Sequence, residues 1–154
     1  MRIMKTLEEA LDFAIDAERI SYDLYYQMAL DAHNEHTRDL LFGFAAEEEA
    51  HKRKLELIKK NHTVSSFKND HEVFIPVVYR EHVRVSPDMG FDELLLFAIK
   101  LEDNSASFYL EMAKAHSNPD LKTFFTTMAR EEGDHAKRFE TIYNETFVRA
   151  KKSE

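Results

Sequence analysis

The chain has 154 residues, no cysteine and a formal net charge of -8. This length can bury a sizeable core in one domain, and the acidic balance argues against a nucleic-acid or anionic-membrane partner, which would select a basic face. The missing thiols exclude disulfides, a thiol nucleophile and thiolate-held iron centres, and they fit a reducing compartment.

Residues 1–15 alternate charged and apolar positions instead of forming an apolar run, so neither a signal peptide nor a membrane span is expected. A cytoplasmic protein is the expectation. The first helix opens on Thr6-Leu7-Glu8-Glu9, a capping-box pattern, and its apolar stripe runs Leu7, Leu11, Ala14, Glu18, Tyr22, Tyr25, Met28. A tight turn at about 33–36 leads to a second stripe, Leu41, Phe44, Glu48, His51, Leu55, Ile58, so these two helices are antiparallel neighbours. From about 61 to 90 helical periodicity is lost; this segment holds Pro76, Pro87 and a β-rich run from Val73 to Tyr79, and it is long enough to cross a bundle end to end. The third stripe is Phe91, Leu95, Ala98, Glu102, Ser105, Tyr109, Met112. After a second short turn, the cap-and-proline pair Asn118-Pro119 opens a fourth stripe, Leu121, Phe125, Met128, Glu132, His135, Phe139, Ile142. The expected fold is all-α, an up-down-down-up four-helix bundle in a single domain over 1–154, with a long crossover between helices 2 and 3.

The chain also repeats itself. An offset of 84 residues carries Glu18 onto Glu102, Glu48 onto Glu132 and His51 onto His135, and with them Tyr25 onto Tyr109, Asn34 onto Asn118 and Glu47 onto Glu131, without a gap. The repeated unit is a helical hairpin, over about 5–62 and 89–146.

Within each unit, Glu48 and His51, or Glu132 and His135, stand one turn apart on one helix face, where both reach a common ion. A single Glu-x-x-His is usually a solvated ion pair; two in repeat register, each with a partner Glu, are a metal site. Carboxylates on an apolar stripe cost several kcal/mol per ion unless paired or coordinated, roughly the scale of a whole buried side chain. No lysine or arginine shares the stripes near them, so metal is the remaining counter-charge. Two divalent ions balance four carboxylates, and two trivalent ions with a bridging oxide balance them equally, which suits redox-active iron (Fe2+/Fe3+); manganese or zinc fits the same ligands. Glu47 and Glu131 either hydrogen-bond the outer nitrogen of a ligand histidine or sit on the surface. Tyr25 and Tyr109 either hydrogen-bond ligand carboxylates or simply fill the core. His33, His36, His62, His71, His82 and His116 fall in turns or the crossover and are read as surface residues. Gly133 costs helix stability unless it permits a close approach near the metals.

The order Glu18, Glu48-x-x-His51, Glu102, Glu132-x-x-His135 resembles the ferritin-like superfamily, and within it the rubrerythrin-like branch, over nearly the whole chain. The resemblance implies that Glu48 and Glu132 bridge two irons, that Glu18 and Glu102 are terminal ligands, and that each histidine completes one iron. Rubrerythrins proper carry a four-cysteine rubredoxin domain, absent here, so electrons are expected from a separate donor protein. They also carry a further Glu where this chain has Ser105. The expected function is reduction of hydrogen peroxide, or dioxygen, by a di-iron site; the alternatives are ferrous iron oxidation and handling, and a non-catalytic metal-stabilised bundle. A homodimer is expected.

Overall fold

The structure, a computed structural model, describes residues 3–4, 6–62, 73–74, 89–116 and 118–149. Helix α1 (Leu7–Asp31) begins where Thr6 Oγ1 accepts the Glu9 amide at 3.1 Å, with Glu8 and Glu9 placed favourably against the positive end of the helix dipole. Helix α2 (Glu35–His62) begins beneath Asn34, whose side chain accepts the Thr37 amide at 2.8 Å. Helix α3 (Phe91–Ala115) follows Gly90, which offers no side-chain cap. Helix α4 (Pro119–Tyr143) starts at Asn118, which accepts the Asp120 and Leu121 amides at 2.9 and 3.3 Å, with Pro119 where a missing N–H costs nothing. It runs on into a π-helical turn, Asn144–Val148.

Residues 32–34 and 116–118 are the only links within each hairpin, too short for anything but an antiparallel return. The ends of the helices meet in two apolar clusters. One gathers Leu7 and Leu11 from the start of α1 with Leu55 late in α2, Tyr109 and Met112 late in α3, and Phe125 early in α4. The other gathers the opposite ends, among them Met28, Leu41, Leu95 and Phe139. Shared ends of this kind occur only if α1 and α4 run one way and α2 and α3 the other, the up-down-down-up order of a ferritin-like four-helix bundle.

One feature lies outside the all-α expectation. Ile3–Met4 (β1) pairs antiparallel with Val73–Phe74 (β2), Ile3 opposite Phe74 and Met4 opposite Val73, tying the connection between α2 and α3 to the start of the chain. A two-residue strand has no periodicity to read, which is why Ile3–Met4 gives no signal in the sequence. The rest of the β-rich run and both prolines of the crossover lie outside the described residues. No helix among the described residues is long and apolar enough to cross a membrane.

Between the two apolar clusters lies a polar layer: Glu18, Glu48, His51, Glu102, Glu132 and His135 are all buried, none more than 3% exposed. A fully buried Leu, Phe or Met stabilises by about 1.5–3 kcal/mol, whereas an unpaired buried charge costs several kcal/mol. Extra apolar packing therefore cannot offset four carboxylates; counter-charge must.

Candidate metal centre

Each helix brings its residues to the centre from mid-length, flanked along its own stripe by core side chains. The six converge as two overlapping groups that could each hold a metal ion: Glu18, Glu48, His51 and Glu132, and Glu48, Glu102, Glu132 and His135, with donor atoms in each group within 4.8 Å of one another. Glu48 and Glu132 belong to both. His51 Nδ1 lies 2.8 Å from Glu132 Oε1, 3.7 Å from Glu18 Oε2 and 3.8 Å from Glu48 Oε2. His135 Nδ1 repeats this, 2.8 Å from Glu48 Oε1, 3.6 Å from Glu102 Oε2 and 3.7 Å from Glu132 Oε2. The nearest carboxylate to each imidazole thus comes from the opposite hairpin.

The residues around this set hold it in place, again across the hairpins. His51 Nε2 donates to Glu131 Oε2 at 2.7 Å, and His135 Nε2 donates to Glu47 Oε2. Of the two readings of Glu47 and Glu131, the structure selects the histidine partners. With Nε2 occupied by a carboxylate, Nδ1 is the nitrogen turned inward, the arrangement that fixes a metal-ligating tautomer. Tyr109 Oη donates to Glu18 Oε1 at 2.5 Å, and Tyr25 Oη donates to Glu102 Oε1. Both tyrosines are core residues and carboxylate partners at once.

Among the described residues, protons are the counter-charge available within the layer itself. Burial pushes Glu48 and Glu132 well above the usual carboxylate range, and the neighbouring Glu102 and Glu18 charges push further. Burial acts the same way on Glu18, but hydrogen bonding with Glu48 and His51 outweighs it and holds that carboxyl at about 2. For both histidines burial disfavours the cation; the surrounding carboxylates, Glu132 and Glu18 for His51 and Glu102 and Glu132 for His135, more than reverse this and raise them. Tyr25 is raised by burial and by the Glu102 charge.

Even so, Glu18 Oε2, Glu48 Oε2 and Glu102 Oε2 are buried acceptors with no hydrogen-bond partner. Three orphaned oxygens facing two inward imidazole nitrogens are a mixed oxygen and nitrogen donor set that fits metal. An open cleft of about 300 Å³ between α2 and α4 reaches the outer edge of this set, lined by Glu47, His51, Lys54, Glu131, His135 and Arg138.

One reading from sequence needs correction, and one left open is decided. His116 is not a surface residue: it is 2% exposed, its Nδ1–H donates to the Met112 carbonyl at 2.6 Å, and its ring stacks on Phe125 at 5.5 Å. It follows Tyr109 and Met112 at helical spacing, so the apolar stripe of α3 carried the signal past the end of the helix. Gly133 does not serve a close approach, since a Cβ there would meet nothing within 4 Å. His33 and His36 are exposed as expected, while the side chains of His62, His71 and His82 lie outside the described residues.

Residues 93–154 match the family model described as Rubrerythrin, a span that contains Glu102 and the Glu132-x-x-His135 tetrad. No curated protein and no solved structure matches the chain. The first hairpin supplies the same residues at the same repeat positions and completes the buried cluster from the other side. The second half of the chain is similar to that family, and the described helices form a ferritin-like four-helix bundle.

Proposed function

We propose that the chain holds two iron ions, one among Glu18, Glu48, Glu132 and His51 and the other among Glu102, Glu48, Glu132 and His135, and reduces hydrogen peroxide with electrons from a separate donor protein. The observation that carries this reading is the pair of overlapping four-residue groups sharing Glu48 and Glu132. Iron held by these residues would supply the two electrons that, with two protons from solvent, reduce hydrogen peroxide to two waters, and the external donor would restore them. The four glutamates balance the charge of the pair. Glu47 and Glu131 keep each imidazole turned with Nδ1 inward. Tyr25 and Tyr109 fix the two unshared carboxylates by donating their hydroxyl hydrogens to Glu102 Oε1 and Glu18 Oε1. The apolar clusters on both sides keep bulk water from the layer. Ser105, buried one turn after Glu102, offers no fifth carboxylate to the set. The chain has no cysteine, so electrons enter from outside it.

The test is anaerobic reconstitution with ferrous iron followed by rapid mixing. Two equivalents of iron per chain are expected, with oxidation faster by peroxide than by dioxygen and sustained turnover only with a reduced donor protein such as a rubredoxin. Faster oxidation by dioxygen, with continued iron uptake into a large oligomer, would move the assignment to iron storage. A preference for zinc with no peroxide chemistry would leave a metal-stabilised bundle.

A further inference from the structure

The repeat places the same six donors on both sides of the centre, but it does not place the same neighbours beside the two histidines. Beside His135, the Phe44 ring packs edge-on at 5.4 Å and itself rests on Phe139 at 4.6 Å. Arg138 lies over the Phe44 ring, 5.6 Å from its centroid, and pairs with Glu47 at 3.7 Å, the same carboxylate that holds His135 Nε2. The imidazole and its carboxylate partner are thus both backed by other groups.

The repeat equivalents of Phe44, Phe139 and Arg138 are Met128, Leu55 and Lys54. Leu55 and Met128 are buried aliphatic side chains, and among the described residues no Phe ring backs His51 and no pair joins Lys54 to Glu131 as Arg138 joins Glu47. A groove of about 320 Å³ lies beyond them, lined among others by Leu57, Ile58, Phe124 and Met128, and shares Lys54 and Glu131 with the cleft over the histidines.

An imidazole releases an ion by turning away from it, and this needs freedom for the carboxylate on its far nitrogen. Glu131 has that freedom, since among the described residues no cation other than His51 pairs with it, whereas Arg138 also holds Glu47. We infer that the two metal positions are inequivalent: the position at Glu18 and His51 exchanges its ion with solvent and small chelators through the cleft at His51 and Glu131, while the position at Glu102 and His135 is held closed by Phe44 and Arg138. This rests on the two-ion reading above.

Protein loaded with cobalt(II), whose absorbance reports occupancy, is mixed with excess of a small chelator and release is followed in time. Release should occur in two phases of equal amplitude, separated roughly tenfold or more, the scale of outer-residue effects on metal affinity. The variant Lys54→Arg, which gives Glu131 a partner of the kind that Arg138 gives Glu47, should slow the fast phase toward the slow one. Arg138→Lys, a change at an exposed position that leaves the core intact, should speed the slow phase alone. Release of two equivalents in one phase, or two phases that neither variant moves, overturns the inference and leaves the two-ion reading standing. Loading of only one equivalent overturns both.

Discussion

Glu48 and Glu132 belong to both overlapping donor groups, so on the two-ion reading neither can be lost without affecting both positions. Glu48→Ala and Glu132→Ala should each lose most of the bound metal, measured by elemental analysis after reconstitution, and full occupancy in both would show that the site is assigned wrongly. Glu131→Ala removes the acceptor from His51 Nε2, frees the ring to turn, and should weaken metal affinity by roughly 10–100-fold in a competition titration. Affinity equal to the parent protein would mean that Glu131 sits beside the ring without orienting it. The six donors could be read from the chain because a buried carboxylate contradicts its own apolar stripe, and the contradiction recurs 84 residues later. Glu47 and Glu131 could not be resolved that way. They are 46% and 37% exposed, so their positions suit a solvated side chain as well as a histidine partner, and only three-dimensional proximity across the hairpins decides. Nor does the sequence foretell that each imidazole's nearest carboxylates come from the other hairpin, since this depends on how the two units dock.

Helix boundaries follow from local chemistry, and the capping residues make that measurable. Thr6→Ala removes the acceptor for the Glu9 amide and should cost about 1 kcal/mol, seen as a lower melting temperature or denaturant midpoint; an unchanged midpoint would show that water replaces the cap at no cost. Gly133 works in the opposite direction. It sits inside α4 with open space around its missing Cβ, so Gly133→Ala should stabilise by roughly 0.5–1 kcal/mol by restricting the unfolded chain and favouring the helix. A gain of that size raises the melting temperature by roughly 1–4 °C in a chain of this length, and a loss would reveal an unseen steric demand at this position. The four helices and two of their starts, at Thr6 and at Asn118, were legible because the period of 3.6, a side-chain cap and a proline are all local signals. Asn34 repeats Asn118, but its cap on α2 is seen only in the structure. Pairing of Ile3–Met4 with Val73–Phe74 was not legible, because it joins residues seventy positions apart through segments too short to carry a pattern.

For the molecule as a whole, the buried polar layer makes stability depend on metal and on pH together. In the metal-free protein Glu48 and Glu132 are raised from 4.5, so the folded form binds protons more tightly than the unfolded chain, and this stabilisation falls as pH rises above about 4.5. His51 and His135 are raised from 6.5; their contribution is complete below that value and declines as pH climbs past it. Glu18 has the opposite sign, but its window lies between about 2 and 4.5, below the range of interest. Between pH 5 and 8 every shifted group of the layer therefore pulls in one direction, and metal-free protein should melt at a lower temperature at pH 8 than at pH 5. Metal reverses the demand, because binding requires the same carboxylates and imidazoles to give up their protons and so strengthens as pH rises. The gap in melting temperature between metal-loaded and chelator-treated protein should accordingly widen from pH 5 to pH 8. Thermal melts of both forms at the two pH values measure it directly. Equal melting temperatures for the two forms at pH 8 would mean that the four glutamates do not share a dry layer, since no arrangement that buries them together without cations escapes their repulsion.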